Sequence, residues 1–181
     1  MKLDLPSDSE EYIFGPQTKV NSYSRMEFIL APGKVEKYLY YIISGSVGSF
    51  IEHDGEEICF GFHTKGHFFS EYASFISQEE SRSYSKALVP CKLAMVRHEV
   101  LQEAYKTSID HQRIGRHISE KLYLKLQERN LDLLSLSAEE RYLKFIATKP
   151  AEMRQIPLKY IASYLGMTPV SLSRIRKNLN S

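Results

Sequence analysis

The sequence predicts an α+β fold: an N-terminal antiparallel β-roll of the jelly-roll type, a long dimerisation helix and a C-terminal all-α helix-turn-helix domain. Three observations carry this expectation. Short apolar runs separated by turn residues fill the first half of the chain. A proline-free amphipathic pattern then runs from His98 to about Leu134. Two short helical patterns around a glycine follow, from Pro157 to Leu179. The divisions implied are an irregular arm over 1–22, a roll over 23–108, a dimerisation helix over 109–135 and a helix-turn-helix domain over 136–181.

With 181 residues, the chain has room for one large domain or two small ones. Its 43% apolar and 12% aromatic content is that of a globular protein with a real core. No apolar run approaches the roughly 18–20 residues of a membrane span. The opening MKLDLPSDSEEY is polar and carries no secretory pattern, so a cytoplasmic location is expected. Cys59 and Cys91 lie in apolar strand-like runs, and two buried thiols fit that compartment better than a disulfide.

Residues 1 to 22 carry charges, Pro6, Gly15 and Pro16 but few periodic apolar positions, hence an irregular arm with at most a helical turn. From Tyr23 the runs MEFILAP, YLYYII, SVGSFIEH, EEICFGF, SYSKALVP and KLAMVR read as strands. Asp54-Gly55 between two of them is a strong hairpin signal, because a type I′ turn needs positive φ at both central residues. Closely spaced strands with turn signals imply a roll or sandwich, not a βαβ sheet.

The period changes near Glu99. Ile114, Ile118, Leu122 and Leu126 recur every four residues among charged neighbours, interrupted only by Gly115. Such a helix carries more apolar surface than a small roll covers, which predicts an isologous homodimer with those four residues at the interface. Ser137 and Glu140 then form a capping box that starts the helix AEERYLKFIATK, ended by Pro150.

In PLKYIASYLGMTPVSLSRIRKNL, Leu158, Ile161, Ala162 and Leu165 make one apolar stripe and Gly166 stops the helix. Thr168 is a good N-cap and Pro169 a good first helical residue. Leu172, Ile175 and Leu179 are expected inside; Val170, Ser173, Arg174 and Lys177 are expected outside. A short helix with a buried back and a small cationic front suits a DNA major groove. Spacing alone also fits an ordinary helical hairpin with solvated bases. Charge separates the two. The segment from Arg141 holds eight bases (Arg141, Lys144, Lys149, Arg154, Lys159, Arg174, Arg176 and Lys177) against Glu152 alone, a net +7, while the first 140 residues carry −5. That asymmetry points to a polyanionic partner for the C-terminal part.

These C-terminal residues, SAEERYLKFIATKP…IPLKYIASYLGMTPVSLSRIRKNL, closely resemble the bacterial Crp/Fnr transcription regulators, in particular a short subgroup without a wing after the recognition helix. LAPGKVEKYLYYIISGSV and EYASF extend the resemblance into the roll, so that it covers about residue 20 onward. The resemblance implies a homodimer on a two-fold symmetric double-stranded DNA site, RNA polymerase as a further partner, and a small-molecule effector in the roll. Arg174 matches a base-reading arginine of the family, and arginine suits bidentate contact with guanine. Pro169 and Val170 stand where well-known members carry Arg and Glu, so the DNA sequence read differs; Val170 suits a thymine methyl. Thr168, Ser171, Ser173, Arg176 and Lys177 are candidates for phosphate contacts.

Nucleotide-binding members carry Gly-Glu-Leu and, later, Arg-Ser-Ala around the phosphate. The matching residues here are Ser70-Glu71-Tyr72 and Ser81-Arg82-Ser83-Tyr84, which makes Glu71, Tyr72, Arg82 and Ser83 the candidate effector residues. Ser70 replaces the glycine and Arg82 is displaced by one position. A one-residue slip along a strand turns a side chain to the opposite face, so an effector other than cAMP is expected. His63, His67 and Glu71 suggest a competing reading as a cupin-like metal enzyme with a helical tail. The cupin pattern His-x-His is absent, however, and spacing by four aligns ligands only on a helix. A non-DNA interaction module is the other alternative. Nothing in the sequence calls for a metal, a cofactor or a catalytic constellation.

Overall fold

The structure is a computed structural model that describes residues 15–148 and 156–179. Eight strands form the roll: β1 Lys19–Tyr23, β2 Phe28–Leu30, β3 Tyr38–Ser44, β4 Ser46–His53, β5 Glu56–Thr64, β6 Phe68–Phe69, β7 Tyr84–Ala87 and β8 Cys91–Arg97. They make two four-stranded antiparallel sheets, ordered β1-β8-β3-β6 and β2-β7-β4-β5. The helices are α1 Tyr72–Ser77, α2 His98–Thr107, α3 Ile109–Ser135, α4 Ala138–Thr148, α5 Leu158–Tyr164 and α6 Pro169–Leu179.

The α+β architecture is the one expected, and its turns follow the anticipated chemistry. Asp54 and Gly55 have φ of 52° and 78°, and His53 pairs with Glu56 across this two-residue loop. Gly45, between β3 and β4, has φ of 85°; a Cβ there would lie 2.4 Å from the Pro90 carbonyl oxygen, so no other residue fits. Between the sheets, Tyr40, Ile42, Val47, Phe69, Leu93 and Met95 form an apolar core, with the Tyr40 and Phe69 rings stacked at 4.8 Å.

Two expectations are corrected and one short helix is added. Lys19 to Ser22, placed in the irregular arm, form with Tyr23 the strand β1, paired along its length with β8. Its side chains are mostly exposed, so backbone hydrogen bonds hold it and no apolar alternation marks it. Residues 1–14 lie outside the described residues. The polar stretch after β6 contains α1, which buries Ser74 and Phe75 and ends on Gln78 in the left-handed region. The pattern from His98 onward is two helices, broken at Ser108 and not at Gly115. Ser108 is extended (φ −139°, ψ 121°) and its hydroxyl accepts a hydrogen bond from the His111 amide. Gly115 instead allows close packing: a Cβ there would lie 2.3 Å from the Tyr105 hydroxyl of α2.

The dimer residues proposed on α3 divide between two faces. Ile118 is buried against Leu39, Phe75, Val96 and Leu101 of its own roll and α2, and Leu122 packs beside it. Ile114 and Leu126 are exposed, as are Tyr123, Leu124, Leu131 and Leu134, the last at 85%. The four-residue period identified the helix, but only its middle pair faces the roll and its outer pair stands in solvent.

The roll and the C-terminal helices share a core. Phe50, Cys59, Phe62 and Tyr84 of the roll pack with Phe145, Tyr160, Ile161 and Leu172. Polar bonds seam the same contact. The Tyr160 hydroxyl donates to Glu57 at 3.1 Å, and Tyr84 and Lys86 donate to the same carboxylate. Burial would raise the pKa of Glu57, but these bonds outweigh it and hold the carboxyl below its usual range. The Cys59 amide donates to Ser163 Oγ at 2.7 Å, and that hydroxyl donates to the Cys59 carbonyl at 3.2 Å. Replacing Tyr160 with alanine should cost about 3 kcal/mol or more of unfolding free energy, because the ring is 2% exposed, whereas Tyr160→Phe should cost about 1 kcal/mol, as read by urea denaturation.

Glu36, between β2 and β3, is wholly buried. Its Oε1 accepts from the Tyr38 amide at 3.0 Å and the Tyr40 hydroxyl at 3.2 Å, while Oε2 has no partner among the described residues. Burial, reinforced by the charge of Glu71, pushes its pKa up to about 7 against the hydrogen bonds that favour ionisation. The folded state therefore holds this proton more tightly than the unfolded chain. The associated stability is complete below about pH 4.5 and is lost as pH rises through about 7. Glu36→Gln should raise the melting temperature by several degrees at pH 8 and change it little at pH 4.5, so that thermal melts across that range become flatter than those of the parent protein.

Candidate nucleic-acid interface and effector site

The helix-turn-helix is built from local signals. The Ser137 amide donates to the Glu140 carboxylate at 2.8 Å, and the Glu140 amide donates to Ser137 Oγ at 3.3 Å, completing the expected capping box for α4. Pro150, expected to end α4, lies outside the described residues. After α5, Gly166 adopts φ of 65°. Thr168 Oγ1 accepts from the Ser171 amide at 3.1 Å and caps α6, with Pro169 in its first turn.

The burial of these helices refines the expected stripes. On α5 the buried residues are Tyr160, Ile161 and Ala162, and Leu158 is 41% exposed. Tyr160 takes the inward place because it reaches Phe50 and Glu57 on the roll. On α6 Leu172 is the buried anchor and Ile175 is partly buried, but Leu179 is exposed, because the helix has run past its support.

The outward face of α6 carries Val170 at 61% exposure together with exposed Ser173, Arg174 and Lys177. Arg176 and Ser171 are half-buried, and the Ser171 hydroxyl lies 2.9 Å from that of Thr168. Six of the seven proposed DNA residues thus sit on α6, with Thr168 as its cap, and the four outermost form one contiguous small, cationic surface.

The +7 segment is less uniformly outward than its sum implies. Arg141 donates from Nε to the Leu165 carbonyl at 2.7 Å, from Nη1 to the Leu136 carbonyl at 2.5 Å and from Nη2 to the Gly166 carbonyl at 3.5 Å. It thereby ties the turn before α6 to the end of α3. Lys144 pairs with Glu128 at 2.7 Å and Asp132 at 2.8 Å. Lys159 lies 4.7 Å from the Tyr160 ring centroid. These roles carry no sequence signal, since the partners lie 12 or more residues away in most cases. Lys149 and Arg154 lie outside the described residues.

The candidate effector residues fall into three settings. Glu71 is buried, and its Oε2 accepts from Ser83 Oγ at 2.5 Å, while Oε1 makes no hydrogen bond among the described residues. Burial raises its pKa, and the nearby Ser83 and Ser49 hydroxyls pull the other way. Tyr72 turns toward α3, its hydroxyl 2.6 Å from Ser119 Oγ. Arg82 is exposed. The one-position displacement thus puts Ser83, not the arginine, beside Glu71. Among the described residues Glu71 makes no ion pair, and its hydrogen-bonded neighbour is a hydroxyl.

Among the described residues no group of three or more His, Cys, Asp or Glu side chains converges as a metal site. His63 Nε2 lies 3.2 Å from Ser49 Oγ, with its ring against Phe69, and His67 bonds to Thr64. The cysteines are free and buried, as expected. Burial pushes the Cys59 thiol up to about 12 and the Cys91 thiol to about 11, which favours the neutral thiol. No described helix is long and apolar enough to cross a membrane.

Comparison with known proteins agrees with this architecture. The family description "Cyclic nucleotide-binding domain" matches residues 20–108. The CRP-like protein Clp of Xanthomonas campestris pv. campestris (strain B100) is 33% identical over 82 residues, or 45% of this chain. Clp of Xanthomonas oryzae pv. oryzae (strain PXO99A) matches to the same extent, and the matched stretch spans only 36% of either relative. Among solved structures, FixK2 from Bradyrhizobium japonicum superposes with a TM-score of 0.78 at 21% identity, covering 90% of this chain and 84% of that one. The global regulator CLP of Xanthomonas campestris gives 0.75 at 23% identity, covering 96% and 92%. CooA from Carboxydothermus hydrogenoformans gives 0.74 at 14% identity, covering 99% and 86%. Residues 20–108 thus match the cyclic nucleotide-binding domain family, and the chain as a whole shares the fold of FixK2, CLP and CooA.

Proposed function

We propose that this chain is a sequence-specific DNA-binding transcription regulator, not an enzyme, that acts as a homodimer under the control of a small molecule sensed by the roll. The observation that carries the reading is α6: a helix anchored by Leu172 and capped by Thr168 that offers Val170, Ser173, Arg174 and Lys177 together to solvent. The fold likeness supports it, and one neighbour is described as a c-di-GMP responsive global regulator. On this reading RNA polymerase is a further partner. The roll's ligand is not cAMP, since Arg82 is exposed and a buried carboxylate faces Ser83.

Self-association uses the apolar face of α3 that the roll leaves uncovered. Ile114 and Leu126 remain candidates from the original period, and Tyr123, Leu124, Leu131 and Leu134 extend the surface. Ile118 and Leu122 support the interface from behind, through their packing on the roll. Two copies related by a two-fold axis would present two α6 helices to successive major grooves.

Selection of DNA fragments by the purified protein, followed by binding titrations over a range of salt, tests the proposal. Arg174→Ala should cost about 1–3 kcal/mol on the selected site and relax preference at one base position. Lys177→Ala should weaken all sequences alike and reduce the salt slope by about 1. Absence of DNA binding at low salt, with or without small-molecule extract, would overturn the reading. For the dimer, Leu124→Glu combined with Leu131→Glu should shift sedimentation from dimer to monomer; an unchanged dimer would place the interface elsewhere.

A further inference from the structure

A cleft of about 600 Å³ opens between the β5–β6 turn, α3 and the helix-turn-helix, a size that holds a small organic molecule. Its floor is apolar, with Leu122, Leu133, Phe145 and Tyr164 among the residues that line it. Its rim is cationic: five basic side chains line it against two acidic ones, Glu128 and Asp132. Both acids are committed to Lys144, at 2.7 and 2.8 Å. Three of the bases, Lys121, Lys125 and Arg129, recur every four residues and so stand in a column along one face of α3.

Arg129 is the unusual member. It is half-buried and has no ion pair among the described residues. One Nη donates to the Tyr164 carbonyl at 3.1 Å, and the guanidinium carbon lies 5.1 Å from the Tyr164 ring centroid. Nε has no hydrogen-bond partner among the described residues. Burial lowers its pKa from the ordinary arginine value, although the neighbouring Tyr164 and Cys59 oppose this. A guanidinium taken partly out of water with a donor unused is rare in folded proteins, because the lost hydration goes uncompensated. Its planar fork matches a carboxylate, which would meet the guanidinium through Nη1 and supply the missing charge, Nε itself being closed to the cleft.

We propose that this cleft binds an organic anion with an apolar body, its carboxylate held by Arg129, and that occupancy changes the affinity of α6 for DNA. This site is separate from Glu71 and Ser83 in the roll. The coupling clause rests on the DNA-binding reading; the binding clause does not. Coupling follows from the walls. Lys121, Lys125 and Arg129 belong to α3, whereas Phe145, Tyr164 and Leu165 belong to the helices that carry α6. A ligand that bridges them binds best to one orientation of the helix-turn-helix, and by linkage DNA then changes ligand affinity by the same factor.

Calorimetric titration of the full chain with dodecanoate tests the binding clause, with dodecanol and acetate as comparison probes. One saturable dodecanoate site is expected, with dodecanol at least tenfold weaker and acetate showing no saturation. Arg129→Gln should weaken dodecanoate at least tenfold and Arg129→Lys less, while Glu103→Gln, on the exposed side of α2 and outside the cleft, should leave it unchanged. Thermal melts identify any variant that fails to fold, and Lys125→Gln then serves as the second cleft variant, expected to weaken binding severalfold. No saturable site, equal affinity for dodecanol, or unaltered affinity in a folded Arg129→Gln protein would overturn the proposal. For coupling, DNA affinity measured with and without saturating dodecanoate should differ by threefold or more. An unchanged affinity overturns the coupling clause alone, whereas a chain that binds dodecanoate but no DNA removes that clause together with the DNA-binding reading.

Discussion

The docking of α5 on β5 is the contact on which the arrangement of this protein depends. Tyr160 enters the roll's core beside Phe50, and its hydroxyl reaches Glu57. Ser163 exchanges hydrogen bonds with both backbone groups of Cys59. A buried ring supplies energy without direction, and the polar bonds around it supply direction. Together they set the angle at which α6 leaves the body of the molecule. The hairpin that carries β5 also pairs through β4 with β7, the strand that follows Ser83. The proposed effector residues and the proposed DNA-reading helix are thus linked through one sheet.

The long helix α3 serves two surfaces at once. Its inner side buries Ile118 against the roll and lines the cleft with Lys125 and Arg129. Its outer side leaves Leu124, Leu131 and Leu134 in water. A monomer gains nothing from that outer surface, and a partner helix would remove it from solvent. The break at Ser108 makes this division workable: α2 packs on the roll and α3 sets out in a new direction, with Gly115 admitting Tyr105 where the two helices meet. Arg141 closes the arrangement by holding the turn between α5 and α6 to the end of α3 through backbone carbonyls.

Several features were legible because their cause is local. The Asp54-Gly55 hairpin, the Ser137–Glu140 capping box, the Gly166 stop and the Thr168 cap each depend on residues within four positions of one another. The outward placement of Val170, Arg174 and Lys177 followed from helical period alone. Strand β1 was not legible, because its partner is a distant backbone and its side chains stay exposed. Nor was the inward role of Tyr160 in place of Leu158, which depends on a ring and a carboxylate more than a hundred residues earlier.

The sequence by itself determined the class of fold, the order of its parts, the turn and cap chemistry and the cationic face of α6, since these arise from propensity and periodicity over short spans. Tertiary structure alone decided which side of α3 is spent on the roll, which bases tie distant parts of the chain together and which stand on the exposed face of α6, and that Ser83 rather than Arg82 faces Glu71. The reason is physical: burial and pairing are properties of surfaces brought together by folding, and a period identifies a face without naming what it will meet.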